Sequence, residues 1–244
     1  MILSLIAVNH NTRDWARLLI QSVRKFTQLD YELVIVDNAS KDGSAEWLSG
    51  QKDIIFKPLG TNIGHGQGLD FAMQFVKGKY CFAFDIDTHV QREGWETDLI
   101  ALYNSDYRIR LVAAKGGKPD DSPPKPIHPC WMLYERAFFK DWNLSFVARD
   151  GYDVGRKIYY DIVNAGFKVF RIDSGYEPDG SKFYPGSFGT EYYIGGQPSL
   201  YHEWYSARMW QKKQVDNYKR EDFERHKQTV FGHPFVKDIL TWKK

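Results

Sequence analysis

The sequence predicts an α/β protein with a mostly parallel sheet that is covered by helices on both faces. Over the first 87 residues, short apolar runs alternate with segments of helical periodicity, in the order strand, helix, strand, helix, strand, helix, strand. The strand runs are apolar almost throughout, which is typical of parallel strands that are buried on both faces. At 244 residues, the chain can bury the core of one large domain or of two small ones.

The first strand and the first helix are predicted at the N-terminus. Residues 2–8 are an apolar run that lacks a basic flank and ends before Asn9, so it is too short for a signal peptide. Residues 14–27 carry apolar side chains at helical spacing, and Asn11 or Thr12 is suited to cap this helix.

The same alternation continues to residue 84. Strands are predicted at 33–36, 54–56 and 80–84, and helices at 45–48 and 69–76. Sheets of this kind bind ligands at the carboxyl ends of their strands. The residues that follow the strands are therefore expected to meet on one rim.

Carboxylates follow two of these strands. Asp37 comes after the second strand, and Asp85 and Asp87 come after the fourth. Residues two apart in an extended chain point the same way, so Asp85 and Asp87 can face one ligand. Carboxylate oxygens suit a divalent metal that holds phosphates. An Asp-x-Asp tripeptide on its own is more often a polar strand end, but the convergence with Asp37 favours the metal site.

The second half of the chain is predicted to be less regular. Five of the ten prolines fall within residues 116–129, which predicts a loop that is either a lid or acceptor contact, or an inert surface excursion. The remaining elements are helices at about 93–105, 135–139 and 158–163 and strands at 111–114, 130–134 and 167–172.

Residues 173–199 are rich in glycine and tyrosine, and they are too long for a plain connection in a compact domain. They are therefore predicted to be a functional loop, on which aromatic rings stack on a sugar or a base. The rings in question are Tyr176, Tyr184, Tyr192 and Tyr193.

The composition is that of an ordinary soluble protein, with 43% hydrophobic residues, 26% charged residues and a net charge of +2. No run approaches the length of a membrane span. Cys81 falls in a predicted buried strand far from Cys130, so free thiols are expected rather than a disulfide or a metal site. These features predict a cytoplasmic protein that is soluble, or at most peripheral at a membrane.

The C-terminal residues 208–244 hold ten Lys or Arg against five Asp or Glu, and they are predicted to be helical. A basic tail can contact a phosphorylated acceptor, a nucleic acid or an anionic membrane surface. The alternative is a solvated helical face that packs through its aromatic residues, which are Trp210, Phe231, Phe235 and Trp242.

Four motifs occur in order within the first 90 residues: Val8-Asn9-His10-Asn11, the run from Val34 to Ser44, the run from Asn62 to Gly66, and Asp85-Ile86-Asp87. Together they resemble the nucleotide-sugar half of family 2 glycosyltransferases, which are inverting enzymes of the GT-A fold. The resemblance weakens beyond residue 90. It implies a single catalytic domain at 1–207, with a nucleotide-sugar half at 1–90 and an acceptor half at 91–207, followed by a basic helical extension at 208–244.

The resemblance also implies roles for individual residues. Asp87 would ligate Mn²⁺ or Mg²⁺, and His202 would complete the metal shell, with His10, His65, His89 and His128 as weaker candidates. Arg208 would approach the diphosphate. The remaining donor contacts would come from Val8, Asn9, His10, Asp37, Asn62, Gly64 and Asp85.

A general base is expected just before the helix at 158–163, because inverting members of the family keep an acidic residue there. A hydroxyl is a poor nucleophile until its proton is accepted. Asp153 is the predicted base and Asp150 is the second candidate. The alternative for Asp153 is a helix cap, and Asp161 is predicted to lie on the solvated face of the helix.

The predicted function is inverting, metal-dependent transfer of a sugar from a nucleotide-diphosphate sugar, with a UDP-sugar expected, to an acceptor hydroxyl. The acceptor is expected to be a saccharide of a surface polysaccharide, and the alternative is a hydroxylated base in DNA. A non-catalytic nucleotide-sugar-binding module is a further alternative. Nucleotidyl transfer is disfavoured because the segment from Asn9 to Thr12 lacks glycine. A nicotinamide dinucleotide site is excluded separately, because Gly64-x-Gly-x-Gly68 has the wrong spacing for it.

Overall fold

A seven-stranded sheet lies at the centre of the molecule, with the strand order β3-β2-β1-β4-β7-β6-β8. The computed structural model describes residues 2–116, 126–174, 181–187, 189–203, 214–215 and 218–243. The strands of this sheet are β1 (Leu3–Asn9), β2 (Tyr31–Asp37), β3 (Ile55–Pro58), β4 (Tyr80–Asp85), β6 (Ile109–Lys115), β7 (Ile127–Glu135) and β8 (Lys168–Ile172).

The first four strands of the sheet are parallel, and β7 enters antiparallel between β4 and β6. Strand β8 lies parallel to β6 at the far edge. The predicted α/β fold with a mostly parallel sheet is therefore confirmed, and its irregular part begins where β7 reverses direction.

Helices cover both faces of the sheet. The alternating side chains of β1 point to the two faces: Leu5 packs in the same core cluster as Leu19 of the first helix, whereas Ile6 packs in the cluster that contains Leu69 of the third. The helices are α1 (Arg13–Phe26), α2 (Ser44–Ser49), α3 (His65–Ala72), α4 (Trp95–Asn104), α5 (Arg136–Asp141), α6 (Arg156–Asn164), α7 (Arg220–Gly232) and α8 (Pro234–Thr241).

Helix α3 ends four residues earlier than the apolar spacing predicts. After Ala72 the backbone tightens, because the amides of Gln74 and Phe75 donate to carbonyls three residues earlier, at 3.1 and 3.0 Å. Met73 and Val76 are nevertheless buried, so they still contribute to the core. The apolar spacing therefore identified the buried residues correctly, but not the helix end.

A second, antiparallel sheet joins β5 (Thr88–Val90), β10 (Gln197–His202) and β9 (Thr190–Ile194), in the order β5-β10-β9. The prediction of a functional loop over 173–199 is wrong for its last part, because residues 190–194 and 197–199 belong to this hairpin. Gly195 and Gly196 connect the two strands with φ values of 60° and 77°, which glycine adopts readily.

The tyrosines of this region serve the core rather than a loop surface. Tyr184 is fully buried, and Tyr192 is 2% exposed. The ring of Tyr192 packs edge-on against Trp131, and Tyr184 packs edge-on against Tyr201. Tyr193 is partly exposed, and Tyr176 lies outside the described residues. Tyr184 and Tyr192 are therefore not available for stacking on a sugar or a base.

The predicted proline-rich loop at 116–129 is shorter than expected at its end, because β7 already begins at Ile127 and includes Pro129. Residues 117–125 lie outside the described part of the chain. Ala114 pairs with His128 and Lys115 with Ile127, so the start of β7 is held by β6.

The C-terminal helices α7 and α8 pack on α1 through aromatic side chains. Phe231 meets Trp15 edge-on with ring centroids 4.9 Å apart, and Phe235 stacks on Phe26 at 5.8 Å. Lys227 Nζ lies 2.7 Å from Asp14 Oδ2. Within the described part of the chain, we find no helix that is both long and apolar enough to cross a membrane.

Candidate active site

The carboxylate pair lies where β4 leaves the central sheet. Asp85 is the last residue of β4, and Asp87 follows in the short turn that leads to β5. Strand β10 runs antiparallel to β5, with His202 opposite Thr88. Nε2 of His202 thereby lies 3.4 Å from Asp85 Oδ2 and 3.3 Å from Asp87 Oδ1. The structure thus brings together three of the predicted residues from distant parts of the sequence.

These three side chains fit a hard divalent cation. One ligand atom from each of Asp85, Asp87 and His202 lies within 4.8 Å of the others. Ligands at right angles around Mg²⁺ are about 3 Å apart, because each bond is about 2.1 Å long. The separations of His202 from the two carboxylates are close to that value, so a small side-chain adjustment would complete the geometry.

The electrostatics of the cluster show its preference for positive charge. Burial by itself would lower the pKa of His202, but Cys130 and Asp87 outweigh burial and raise that pKa well above its usual value. Burial alone would raise the pKa of Asp85, but His202 and His65 lower it below its usual value. A proton on His202 therefore balances the carboxylates, and a metal ion would take its place.

The loop before α3 approaches Asp85 from the opposite side. Nε2 of His65 lies 3.5 Å from Asp85 Oδ1. Gly64 precedes it with a φ of 97°, and its amide donates to Asn62 Oδ1 at 2.9 Å. Asn38 Nδ2 donates to the carbonyl of Gly64 at 3.0 Å, which ties this loop to the end of β2. The predicted residues Asn62 and Gly64 thus shape the loop that presents His65.

The ends of β1 and β2 are joined by a buried polar network. Asp37 Oδ2 accepts hydrogen bonds from Asn9 Nδ2 at 2.7 Å and from Ser40 Oγ at 2.6 Å, while Oδ1 accepts from the Ser40 amide at 2.9 Å. Asp37 is only 1% exposed. Its carboxylate therefore holds the loop after β2, and a direct contact of Asp37 with a donor stays a prediction.

Two further predicted donor residues, Val8 and His10, lie beside this network. His10 Nδ1 is 2.7 Å from the carbonyl of Asn38, and the ring is partly exposed. Val8 is buried under α3, where a Cβ added to Gly68 would lie 2.9 Å from its Cγ2. His10 is thus oriented toward the rim, whereas Val8 supports α3. The predicted Arg208 lies outside the described residues.

The acidic residues ahead of α6 are exposed. Asp153 Oδ1 accepts a hydrogen bond from the Val154 amide at 2.8 Å, and Asp150 Oδ2 lies 4.0 Å from Lys157 Nζ. Asp150 has a φ of 56°, in the left-handed region.

The segment that carries both acids, residues 145–155, is fixed between α3 and β7. Asp70 of α3 accepts from Ser145 Oγ at 2.6 Å and from the Phe146 amide at 2.9 Å. A Cβ on Gly66 would lie only 2.5 Å from the Phe146 carbonyl, so glycine permits the close approach. A Cβ on Gly155 would likewise meet Met132 and Pro129 of β7 at 2.7 and 3.2 Å.

Comparison with known proteins identifies the family. The family model described as glycosyl transferase family 2 matches residues 4–158. The chain belongs to glycosyl transferase family 2. The resemblance predicted from the four N-terminal motifs is therefore confirmed. A comparison with the curated proteins finds no match.

Solved structures with a similar fold are glycosyltransferases as well. The mannosyltransferase PcManGT from Pyrobaculum calidifontis, in complex with GDP-Man and Mn²⁺, superposes with a TM-score of 0.57 at 15% identity, covering 69% of this chain and 54% of that one. TarS 1-349 from S. aureus gives 0.55 at 13% identity, covering 100% of this chain and 76% of that one. This member of glycosyl transferase family 2 thus has the GT-A fold. It spans about half of the length of PcManGT, covering 54% of that chain.

Cys130, beside the carboxylate cluster, was not among the predicted site residues, and its neighbour His128 was only a weaker candidate. Cys130, expected only as a free buried thiol, is free and fully buried, and it lies beside His202 and His128. Although burial alone would raise the pKa of Cys130, His202 and His128 lower it to about 7. His128 and Cys130 are two residues apart on β7, so both side chains lie on one face of the strand. This spacing is the sequence pattern that could have predicted their proximity.

His89, another of the weaker histidine candidates, is a core residue. It is fully buried, and its Nε2 lies 2.7 Å from the hydroxyl of Tyr184. Burial lowers its pKa to about 3, so the ring is neutral.

Proposed function

We propose that this glycosyltransferase moves a sugar from a nucleoside diphosphate sugar to an acceptor hydroxyl with inversion, using a divalent cation held by Asp85, Asp87 and His202. The observation that carries the proposal is the approach of His202 Nε2 to within 3.3–3.4 Å of both carboxylates. Three residues from β4, the following turn and β10 meet at the carboxyl end of the parallel strands, where α/β sheets bind their ligands.

The leaving group explains the need for this cluster. A nucleoside diphosphate gains negative charge as the bond to the sugar breaks, and a bound Mn²⁺ or Mg²⁺ supplies the opposite charge. Asp85, Asp87 and His202 hold that ion. His65, at the start of α3 and 3.5 Å from Asp85, lies where it can donate a hydrogen bond to an oxygen of the same diphosphate.

The proposed general base is Asp153. The acceptor oxygen forms a bond to the anomeric carbon as the bond to the diphosphate oxygen breaks, and the proton of the acceptor hydroxyl passes to the carboxylate of Asp153. Asp153 is exposed, and its bond to the Val154 amide involves Oδ1. Asp150 is the second candidate, but it is directed to Lys157 at 4.0 Å.

The proposed donor is a UDP-sugar. The structural neighbours support a nucleoside diphosphate in this fold, because TarS 1-349 in complex with UDP has a TM-score of 0.54 and the PcManGT complex contains GDP-Man and Mn²⁺. Both nucleotides therefore belong in the test.

The proposed acceptor is a saccharide of a surface polysaccharide. The basic C-terminal extension was the main reason to consider a hydroxylated base in DNA. Within its described residues, Phe231 and Phe235 pack on α1, while Lys227 and Arg225 lie 2.7 Å from Asp14 and Asp222. This use of the extension in folding favours the saccharide.

The test is thermal stabilisation by UDP, GDP and their sugars, with and without Mn²⁺. A ligand that binds only the folded protein raises Tm. We expect stabilisation by one nucleotide, dependent on Mn²⁺, that is lost in Asp87→Asn. The matched control is Asp238→Asn. It removes an exposed carboxylate of α8 that pairs with Lys25 of α1, and it should leave the stabilisation intact. Stabilisation by the nucleotide that survives in Asp87→Asn would contradict the proposed metal site.

A separate acceptor test follows once the donor is known. Transfer of a radiolabelled sugar to oligosaccharides is expected, and transfer to duplex DNA containing hydroxymethylated bases would replace the saccharide proposal. Stabilisation by the nucleotide sugar, with neither transfer to an acceptor nor hydrolysis of the nucleotide sugar, would favour the non-catalytic module.

A further inference from the structure

A second set of metal-binding side chains adjoins the carboxylate cluster. His128 and Cys130 of β7 and His202 of β10 each place one ligand atom within 4.8 Å of the other two. The rings of His128 and His202 have their centroids 5.3 Å apart. Cys130 is fully buried, and His202 is 4% exposed. The two sets thus share His202, and they differ in all other ligands.

The chemistry of this set differs from that of the carboxylates. Thiolate and imidazole ligands favour zinc and similar softer ions, whereas carboxylates favour Mg²⁺ and Mn²⁺. Around a tetrahedral zinc the ligand atoms lie about 3.3–3.8 Å apart, because Zn–N and Zn–S bonds are about 2.0–2.3 Å long. Ligand atoms within 4.8 Å of one another therefore need their separations to shrink by at most about 1–1.5 Å.

The surroundings of His202 and Cys130 are compatible with this use. Nδ1 of His202 is buried and makes no hydrogen bond to the described residues. Cys130 Sγ lies 3.4 Å from the hydroxyl of Tyr192, which is 2% exposed. A hydroxyl at that position can donate to a thiolate, as the outer partners of metal ligands do.

We propose that His128, Cys130 and His202 form a site for Zn²⁺, and that zinc at this site competes with the divalent cation of the carboxylate cluster. The competition follows from His202, because a neutral imidazole has one lone pair and binds one ion at a time. Zinc binding at the three residues stands on the geometry alone, whereas the competition rests on the proposed function.

Cobalt substitution tests the zinc site without any activity measurement. Co²⁺ bound to a thiolate gives a ligand-to-metal charge-transfer band in the near ultraviolet. We expect this band in the wild-type protein, its removal by added Zn²⁺, and its absence in Cys130→Ser. Cys81→Ser is the matched control, because Cys81 is also free and buried but lies outside the cluster, so it should keep the band.

Zinc affinity is measured in parallel by competition with a chromogenic chelator. We expect Cys130→Ser and His128→Asn each to weaken Zn²⁺ binding by more than about tenfold, since even the loss of an outer partner costs about 10–100-fold. His128 is partly exposed, so His128→Asn tests the site even where Cys130→Ser folds poorly. Equal zinc affinity in the wild type and in His128→Asn, or a cobalt complex without a thiolate band, would overturn the proposal.

The two proposals fail separately. Asp87→Asn should lose Mn²⁺-dependent stabilisation by the nucleotide while keeping the cobalt–thiolate band. His128→Asn should weaken the cobalt–thiolate complex while keeping the Mn²⁺-dependent stabilisation by the nucleotide. In the wild type, we expect Zn²⁺ to abolish the Mn²⁺-dependent stabilisation and excess Mn²⁺ to restore it. If Zn²⁺ removes the cobalt–thiolate band but leaves the Mn²⁺-dependent stabilisation undiminished, the proposed competition is overturned.

Discussion

Asp37 and Asp153 are the same residue type in opposite settings. At the end of β2, Asp37 is 1% exposed; its Oδ2 accepts hydrogen bonds from Asn9 and Ser40, and its Oδ1 accepts one from the Ser40 amide. Ahead of α6, Asp153 is exposed, with a hydrogen bond from Val154 to Oδ1. Asp37 thus fixes the loop after β2, whereas Asp153 presents a carboxylate oxygen that is open to a proton.

The proposed metal ligands lie between these two extremes. Asp87 is 7% exposed and Asp85 is partly exposed, and both face His202. Burial strengthens their interaction with a cation, because the effective dielectric constant falls away from bulk water. Exposure and hydrogen-bond saturation, rather than residue type, thus distinguish the structural carboxylate of Asp37 from the proposed metal ligands and the proposed base.

The largest effect is expected at the metal site. Asp87→Asn removes a charged ligand, and loss of several kcal/mol of transition-state stabilisation lowers kcat by about 10³-fold or more. Steady-state transfer measured at saturating Mn²⁺ checks this. The control Asp238→Asn should retain wild-type turnover, and activity within tenfold of the wild type for Asp87→Asn would break the distinction between the metal site and the rim.

The next effect is expected at the proposed base. Asp153→Asn should lower kcat by about 10²–10³-fold, because a general base typically contributes 10²–10⁴-fold, while nucleotide stabilisation stays unchanged. Asp150→Asn is the matched variant on the same loop, and it should stay within a few fold of the wild type. A larger loss in Asp150→Asn than in Asp153→Asn would exchange the two assignments.

Substitution of Asp37 should act on stability. Asp37→Ala removes an acceptor of the buried Asn9 side chain and of the partly buried Ser40 hydroxyl and backbone amide, at a cost of about 1–3 kcal/mol for each group left unsatisfied. We therefore expect the free energy of unfolding to fall by about 3 kcal/mol, measured by urea denaturation. If stability were unchanged while nucleotide affinity dropped, Asp37 would be a donor-binding residue, as the sequence predicts.

A smaller effect is expected at Asp70, which anchors the acidic loop through Ser145 and Phe146. Asp70→Asn retains one acceptor oxygen and loosens the loop that carries Asp153. We expect kcat to fall by about three- to tenfold with nucleotide affinity unchanged, since misplacement of a catalytic group is costly. A fall in nucleotide affinity instead would show that Asp70 acts through α3 and not through the loop.

The smallest effect is expected for the exposed ion pair between Asp106 and Arg108. Arg108 and then Lys168 hold the pKa of Asp106 well below its usual range. Its folded pKa is thus lower than its unfolded pKa, so its stabilisation is present near neutral pH and is lost as the pH falls below about 4. Asp106→Asn should flatten the acid side of the stability profile slightly, because exposed ion pairs contribute little. An acid-side change as large as that of Asp37→Ala would remove the contrast between buried and exposed carboxylates.

The local parts of the site were predictable. The Asp-x-Asp motif at the end of the fourth strand was predicted from spacing, because it depends on the backbone of a few neighbouring residues. His202 was predicted only through the family resemblance. Cys130 was treated as an isolated thiol, because proximity of β7 to β10 has no local signature.

The amino-acid sequence by itself determined the alternation of strands and helices, the buried faces of β1 to β4 and the presence of carboxylates at their ends. These properties follow from hydrophobic periodicity, which acts over a few residues. Only the tertiary structure decided that β10 pairs with β5 and brings His202 to Asp87, that Tyr184 and Tyr192 fill the core, and that Asp37 is saturated by hydrogen bonds. Those outcomes depend on contacts between residues far apart in the chain, where packing overrides local propensity.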